Sequence, residues 1–224
     1  MSKIKRGELG ELEVVNTLKG LKEYHHLLNN VTFLNKKSDM SHQIDHILIH
    51  PHGIFVIETK NYYGEITYDE TYKQWYKTIK GKRSKMPNPL LQNKSHEITI
   101  YRVLKGTFKA ISVVVFVRNN APYFPNDNVI NLEDLLLFIE SYPYTAKLSK
   151  TTIDNIKNVI ENNSVDISSE KHVENIKLYK AVRREERKEI RYAIEHNKCP
   201  RCKSDLISQG YEYRCSKCDF SFKL

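Results

Sequence analysis

Between residues 7 and 22 the apolar side chains Leu9, Leu12, Val15, Leu18 and Leu21 return at three-residue steps, with Val14 widening the stripe. That period predicts an amphipathic helix. The pattern then shortens. VTFLN (31–35), QIDHILI (43–49) and GIFVIETKNY (53–62) are apolar and β-branched, and His50-Pro51-His52-Gly53 marks a turn between the last two. Residues 64–68 and 74–79 predict a further hairpin. A helix follows Pro87 and Pro89 and ends at Gly106. ISVVVFV (111–117) is a continuous apolar run, as expected of a buried strand. Asn131 is expected to cap a helix over LEDLLLFIESY that Pro143 stops, and a weaker helix is expected over 151–161. The polar stretch 161–172 predicts a linker, and 173–197 a long charged helix. The succession of helix, antiparallel strands, helix, buried strand and helix predicts an α/β fold with a mixed sheet flanked by helices. The expected division is a main domain over 1–162, a linker and charged helix over 163–197, and a small cysteine-bearing module over 198–224.

Composition narrows the setting. With 224 residues, 40% of them hydrophobic and 28% charged, the chain can bury one core and carry an appendage. No run approaches the roughly 20 apolar residues of a membrane span. MSKIKRGELGELE has a basic start with no apolar stretch behind it, so a signal peptide is not expected and a cytoplasmic protein is. All four cysteines fall in the last 26 residues, which argues against a disulfide-stapled secreted fold. A net charge of +9, shared by both halves, favours a polyanionic partner such as nucleic acid.

The chemistry concentrates in one hairpin. A two-residue loop at Pro51-His52 pairs His50 with Gly53, and extending that register sets Asp45 opposite Glu58 and Gln43 opposite Lys60. Cross-strand neighbours lie roughly 4.5–5.5 Å apart at Cβ, and alternation puts all four on one face. Two adjacent carboxylates repel unless a proton or cation intervenes. Oxygen ligands at a half-open site suit Mg²⁺ or Mn²⁺. Lys60 is suited to orient a water or to neutralise charge on a reacting phosphate. The competing reading is a cross-strand ion network on a solvent face, but FVIETKNY is apolar up to Glu58, so the carboxylate emerges from a buried strand. His46 should point away from this face, and His50 and His52 are expected at a solvent-exposed turn.

These residues carry a resemblance. Gly7-x-x-Gly10-Glu11, Gln43-Ile44-Asp45-His46, Gly53-Ile54-Phe55-Val56-Ile57-Glu58-Thr59-Lys60-Asn61 and Asn88-Pro89-x-x-Gln92-Asn93 resemble the nuclease-related domain, which is grouped with the PD-(D/E)xK nucleases. The resemblance covers about residues 6–120 and implies a restriction-endonuclease-like αβββαβ core. It assigns Asp45, Glu58 and Lys60 to the metal-and-lysine centre and Glu11 to the acidic residue on the first helix. It assigns Gln92 to a glutamine placed after the core. Glu8 shares a similar helix face with Glu11, and Gln92 and His96 share one face that either meets the site or packs inward.

Cys199-x-x-Cys202 and Cys215-x-x-Cys218, twelve residues apart, have the spacing of a zinc ribbon holding Zn²⁺ by four thiolates. Strands are expected around Leu206 and Tyr213, and a third through Phe220 and Phe222. Arg201, Lys203, Tyr211, Tyr213, Arg214, Lys217 and Phe220 suit phosphate contact and base stacking, or the aromatic residues form the module's own core. The arginine-rich helix alternates with Glu185, Glu186 and Glu189, as a solvated face laced with ion pairs would. The expected function is metal-dependent hydrolysis of DNA, with RNA as an alternative substrate and no membrane partner. The competing expectation is an inactive nucleic-acid-binding or scaffold protein on a nuclease fold.

Overall fold

The computed structural model describes residues 6–35, 40–120, 128–166 and 169–223. It divides into two compact units, Met1–Leu34 with His42–Asp166, and Asn35–Ser41 with Ile167–Leu224.

The first unit runs from helix α1 (Arg6–Leu18) into strands β1 (His26–Asn35), β2 (Met40–His50) and β3 (Gly53–Lys60). A small sheet follows, built of β4 (Glu65–Asp69), β5 (Gln74–Ile79) and β6 (Lys82–Met86). Helix α2 (Pro89–Val103), strands β7 (Ala110–Phe116) and β8 (Val129–Asn131), and helices α3 (Leu135–Ser141) and α4 (Lys150–Asn163) complete it. The main sheet has the order β1-β2-β3-β7-β8. β2 and β3 are antiparallel, whereas β3–β7 and β7–β8 are parallel, so the sheet is mixed as expected.

Strand alternation sends successive β3 residues to opposite cores. Phe55 and Ile57 join Val14, Leu18, Leu135 and Ile139 of α1 and α3. Ile54 and Val56 join Ile100, Ile153, Ile156 and Ile160 of α2 and α4. β7 lies beside β3, and its Val113, Val114, Val115 and Phe116 are fully buried, which is why that segment reads as an unbroken apolar run. Helix α2 starts where Asn88 caps it by accepting from the Leu90 amide, with Pro89 at the first position. At its other end the Gly106 amide donates to the Tyr101 carbonyl, at a φ of +78° that glycine adopts without strain.

Several sequence expectations are corrected. The buried line of α1 is Gly10, Val14 and Leu18, while Leu9 and Leu12 are 39% and 51% exposed. The helix turns this way because Gly10 admits a close neighbour that a larger residue would exclude. Asn131 makes no side-chain cap, because a three-residue 3₁₀ turn, Leu132–Asp134, precedes α3. His50 is buried at the hairpin turn, and His52 is half-buried, its ring against Tyr144 with centroids 4.5 Å apart. β6 and β8 had no clear apolar alternation to announce them. The expected linker is shorter than its composition suggests, since α4 extends to Asn163 and the next helix begins at Ser169; residues 167 and 168 lie outside the described residues.

The second unit contains helix α5 (Ser169–His196) and a three-stranded antiparallel sheet of β9 (Leu206–Gln209), β10 (Glu212–Cys215) and β11 (Ser221–Lys223). Ala193 of α5, Cys199, Leu206, Phe220 and Phe222 form its core. Phe220 and Phe222 are therefore packing residues. The exposed face of α5 carries the expected ion pairs, Arg183–Glu186 at 3.1 Å and Lys188–Glu185 at 2.7 Å.

Candidate active site

Glu58 sits where β3 leaves the core, only 3% exposed and preceded by four fully or almost fully buried residues, Ile54 to Ile57. Burying a carboxylate there is costly unless donors surround it. Three do. Lys60 Nζ lies 2.5 Å from Glu58 Oε1, Gln92 Nε2 donates to the same oxygen at 2.7 Å, and His96 Nε2 lies 3.1 Å from Oε2. Lys60 Nζ also donates to Gln92 Oε1 at 3.0 Å, closing a ring of three side chains. Burial pushes Glu58 up, but the His96 hydrogen bond and the Lys60 charge outweigh it and hold its pKa below the ordinary value. Gln92 and His96 occupy positions i and i+4 of α2, so one helix face supplies both. His96 in turn meets His42 through its Nδ1, which extends the chain of contacts from Glu58 onto β2.

Asp45 approaches differently from the expected register. The hairpin does follow that register from His50↔Gly53 to His46↔Ile57, and there the ladder ends. Ile44, Ile47 and Ile49 share one core, an odd spacing that a straight strand cannot give, so β2 departs from regular alternation at this point. Asp45 Oδ2 instead accepts from the Thr59 amide at 2.8 Å. Burial, then the Glu58 charge, pushes the Asp45 carboxyl up to about 7. Gln43, two residues earlier, is half-buried, and among the described residues it is not one of the side-chain partners of Glu58 or Lys60.

Glu11 projects from α1, half-buried, while Glu8 is exposed. Burial pushes Glu11 up, and the charges of Glu8 and Glu58 add to the rise. The placement of α1 rests on residues whose role the hydrophobic pattern does not reveal. A Cβ at Gly10 would lie 2.8 Å from Asn61 Cβ, so helix and strand end meet at van der Waals limit. Asn61 Nδ2 donates to the Arg6 carbonyl at 2.8 Å, and Arg118 Nε donates to Asn61 Oδ1 at 2.8 Å. Asn93, fully buried on α2, donates to the carbonyls of Val56 and Val113 at 2.9 Å each and so ties α2 to β3 and β7. The signal available in sequence was a pair of amides, Asn61 and Asn93, at positions the fold makes apolar. His46 points away from the site as expected, buried against Asn29 Oδ1 at 2.7 Å, and burial pushes its pKa down to about 4.

Among the described residues, Glu11, Asp45 and Glu58 do not form a group whose ligand oxygens all lie within 4.8 Å of one another; the four cysteines of the second unit do form such a group with their sulfurs. The Sγ atoms are 3.5 Å apart for Cys199 and Cys218, 3.3 Å for Cys202 and Cys215, and 3.7 Å for Cys202 and Cys218. Tetrahedral ligation at a Zn–S distance of about 2.3 Å requires sulfurs about 3.8 Å apart, so this cluster is shaped to bind a metal ion.

The chain is similar to an uncharacterized protein of Bacillus anthracis, 35% identical over 144 residues, which span 61% of this chain and 67% of that protein. No solved structure matches at a significant level. Residues 6–117, from the start of α1 to just past β7, match the family model described as the nuclease-related domain, and the chain belongs to that family.

Proposed function

We propose that the first unit is a metal-dependent DNA nuclease and that the second is a zinc ribbon that adds affinity for nucleic acid. The observation that carries the reading is the juxtaposition of Asp45, Glu58 and Lys60 at the end of a buried strand pair, with the Asp45 carboxyl raised to about 7 by burial and by Glu58. An acid in that state is poorly compensated, and a divalent cation is the partner that would relieve it.

Glu11, Asp45 and Glu58 would hold Mg²⁺ or Mn²⁺, hard ions suited to carboxylate oxygens and to phosphate. Such an ion supplies a polarised phosphodiester and a more acidic bound water. The chain's own residues do the rest. Lys60 carries an ammonium beside the carboxylates and is placed to orient the attacking water or to balance charge on the phosphorane. Gln92, bonded to both Glu58 and Lys60, keeps the two side chains in register and presents an amide for the substrate; Gln43 is the second candidate for that task. The Thr59 amide fixes the Asp45 carboxylate. His96 orders the second oxygen of Glu58. In the domain plan, residues 1–162 bear the reaction, 163–197 connect, and 198–224 bind Zn²⁺ through Cys199, Cys202, Cys215 and Cys218.

The test is cleavage of plasmid and single-stranded DNA with Mg²⁺ or Mn²⁺. Asp45→Ala and Lys60→Ala should each abolish cleavage while circular dichroism remains unchanged. A second reading, a nucleic-acid-binding protein without hydrolytic activity, is favoured by one observation: Glu58 is already saturated by Lys60, Gln92 and His96, and the three acids are not drawn together. DNA binding without cleavage under every divalent metal would select it.

A further inference from the structure

Beside β3 lies a cavity of about 400 Å³ whose walls include Arg6, Gly7, Lys60, Tyr62, Tyr63 and Lys77. Three of its lining residues are cations and none is an acid. Lys60 is neutralised by Glu58, but Arg6 and Lys77 have no carboxylate partner among the described residues. Each cation is instead held over a neighbouring ring. The Arg6 guanidinium stands 4.4 Å from the Tyr63 centroid, and the Lys77 ammonium 5.1 Å from that of Tyr62. Arg118, 5.2 Å from the same Tyr63 ring, bonds Asn61 and pairs with Glu13 at 3.8 Å, so its charge is engaged elsewhere.

Hydrogen bonds and a close backbone approach hold the frame of this cavity. Asn120 Nδ2 donates to the Tyr62 carbonyl at 2.9 Å and also to the Gly64 carbonyl, pinning the turn that carries both tyrosines. Gly64, at φ +87°, leaves no room for a Cβ, which would fall on the Thr78 carbonyl of β5, the strand that also carries Lys77. Cations ordered on aromatic rings in a fixed concavity, with no acid to satisfy them, match an anion too large for a single contact.

We infer that this cavity is a subsite for a backbone phosphate of the bound nucleic-acid strand, one step along from the phosphate at Asp45, Glu58 and Lys60. Arg6 and Lys77 hold that phosphate, and Tyr62 and Tyr63 order the two cations in advance. Lys60 lines this cavity and also bonds Glu58, so the subsite adjoins the proposed reacting centre. This role rests on the nucleic-acid reading of the first unit, but it does not require that cleavage occurs.

The experiment is fluorescence polarisation of a short labelled single-stranded oligodeoxynucleotide on the full chain in EDTA, over a range of salt concentrations. Every phosphate the protein no longer neutralises flattens the slope of log K against log salt by about 0.7 for a single strand. Arg6→Ala and Lys77→Ala should each flatten the slope by about that amount, and the double variant by about 1.4, at every oligonucleotide sequence tried. Arg6→Lys and Lys77→Arg should restore it. Lys109→Ala removes an exposed charge beside β7's first residue, Ala110, which pairs with Ile54 at the opposite end of β3, and should leave the slope unchanged. If the wild type binds and the Arg6 and Lys77 variants keep its slope, the subsite is refuted while the nuclease proposal stands. A flattened slope in variants of a protein that never cleaves supports the subsite and refutes the nuclease. A wild type with no affinity for the oligonucleotide overturns the subsite and the nucleic-acid reading together.

Discussion

Asp45 and Glu58 show how one environment separates two acids. Both are desolvated, but Glu58 is held by a histidine, a lysine and a glutamine, whereas Asp45 has one backbone amide and faces the charge of its neighbour. The Asp45 pKa of about 7 in the folded state lies above its unfolded value, so the folded protein retains a proton that the unfolded chain releases. Its contribution is therefore fully present below the ordinary value of 3.8 and is lost progressively as pH rises from there to about 7. Asp45→Asn should raise the melting temperature in EDTA most at pH 8, where the charge is present in the folded state, less at pH 5, and little at pH 3, below the ordinary value. A melting temperature that falls at pH 8 would contradict this account. The same reasoning applies to cations: Mg²⁺ or Mn²⁺ should raise the melting temperature of the wild type more at pH 8 than at pH 5, because protons compete for Asp45 at the lower pH.

Elements bring these residues together through close contacts added to the apolar packing of α1 and α2 on β3. α1 lies against the end of β3 because Gly10 has no side chain and Asn61 bonds the Arg6 carbonyl. Gly10→Ala would force a methyl to 2.8 Å from Asn61 Cβ, and the helix would have to shift. The expected cost is about 1–3 kcal/mol by analogy with overpacked cores, read as a lower midpoint in urea. Because the same helix carries Glu11, cleavage should fall further than the loss of stability explains, which kinetics well below the melting transition will check. α2 is tied by Asn93 to carbonyls on both β3 and β7. Asn93→Leu removes both hydrogen bonds, at a cost of about 0.5–1.5 kcal/mol for each, again measured by urea unfolding.

At the scale of the whole chain, the two units depend on different forces. The first buries three apolar clusters, whereas the core of the second is five residues, one of them a proposed metal ligand. A core that small needs the metal to fold. Cys199→Ser should lower bound zinc, measured by mass spectrometry, and broaden the amide signals of residues 198–223 while those of residues 42–120 keep their positions. Perturbation of the first unit's signals would show that the two fold as one.

How much of this was legible beforehand follows from the range over which each interaction acts. Periodicity announced α1, the β2–β3 hairpin and β7, and turn chemistry set the hairpin register through His46↔Ile57, because those signals lie within a few neighbouring residues. The cysteine spacing likewise foretold the clustered sulfurs, since local knuckles bring each pair together. The exposed Leu9 and Leu12 were misread because the helix turns Gly10, Val14 and Leu18 inward, and a glycine on that line carries no apolar signal. The ladder's end beside Asp45, the His42–His96–Glu58 chain and the anchoring by Asn61 and Asn93 join residues far apart in sequence. Only the tertiary structure decided them, because a side-chain hydrogen bond needs its partner within about 3 Å and nothing in the one-dimensional pattern encodes which distant segments approach that closely.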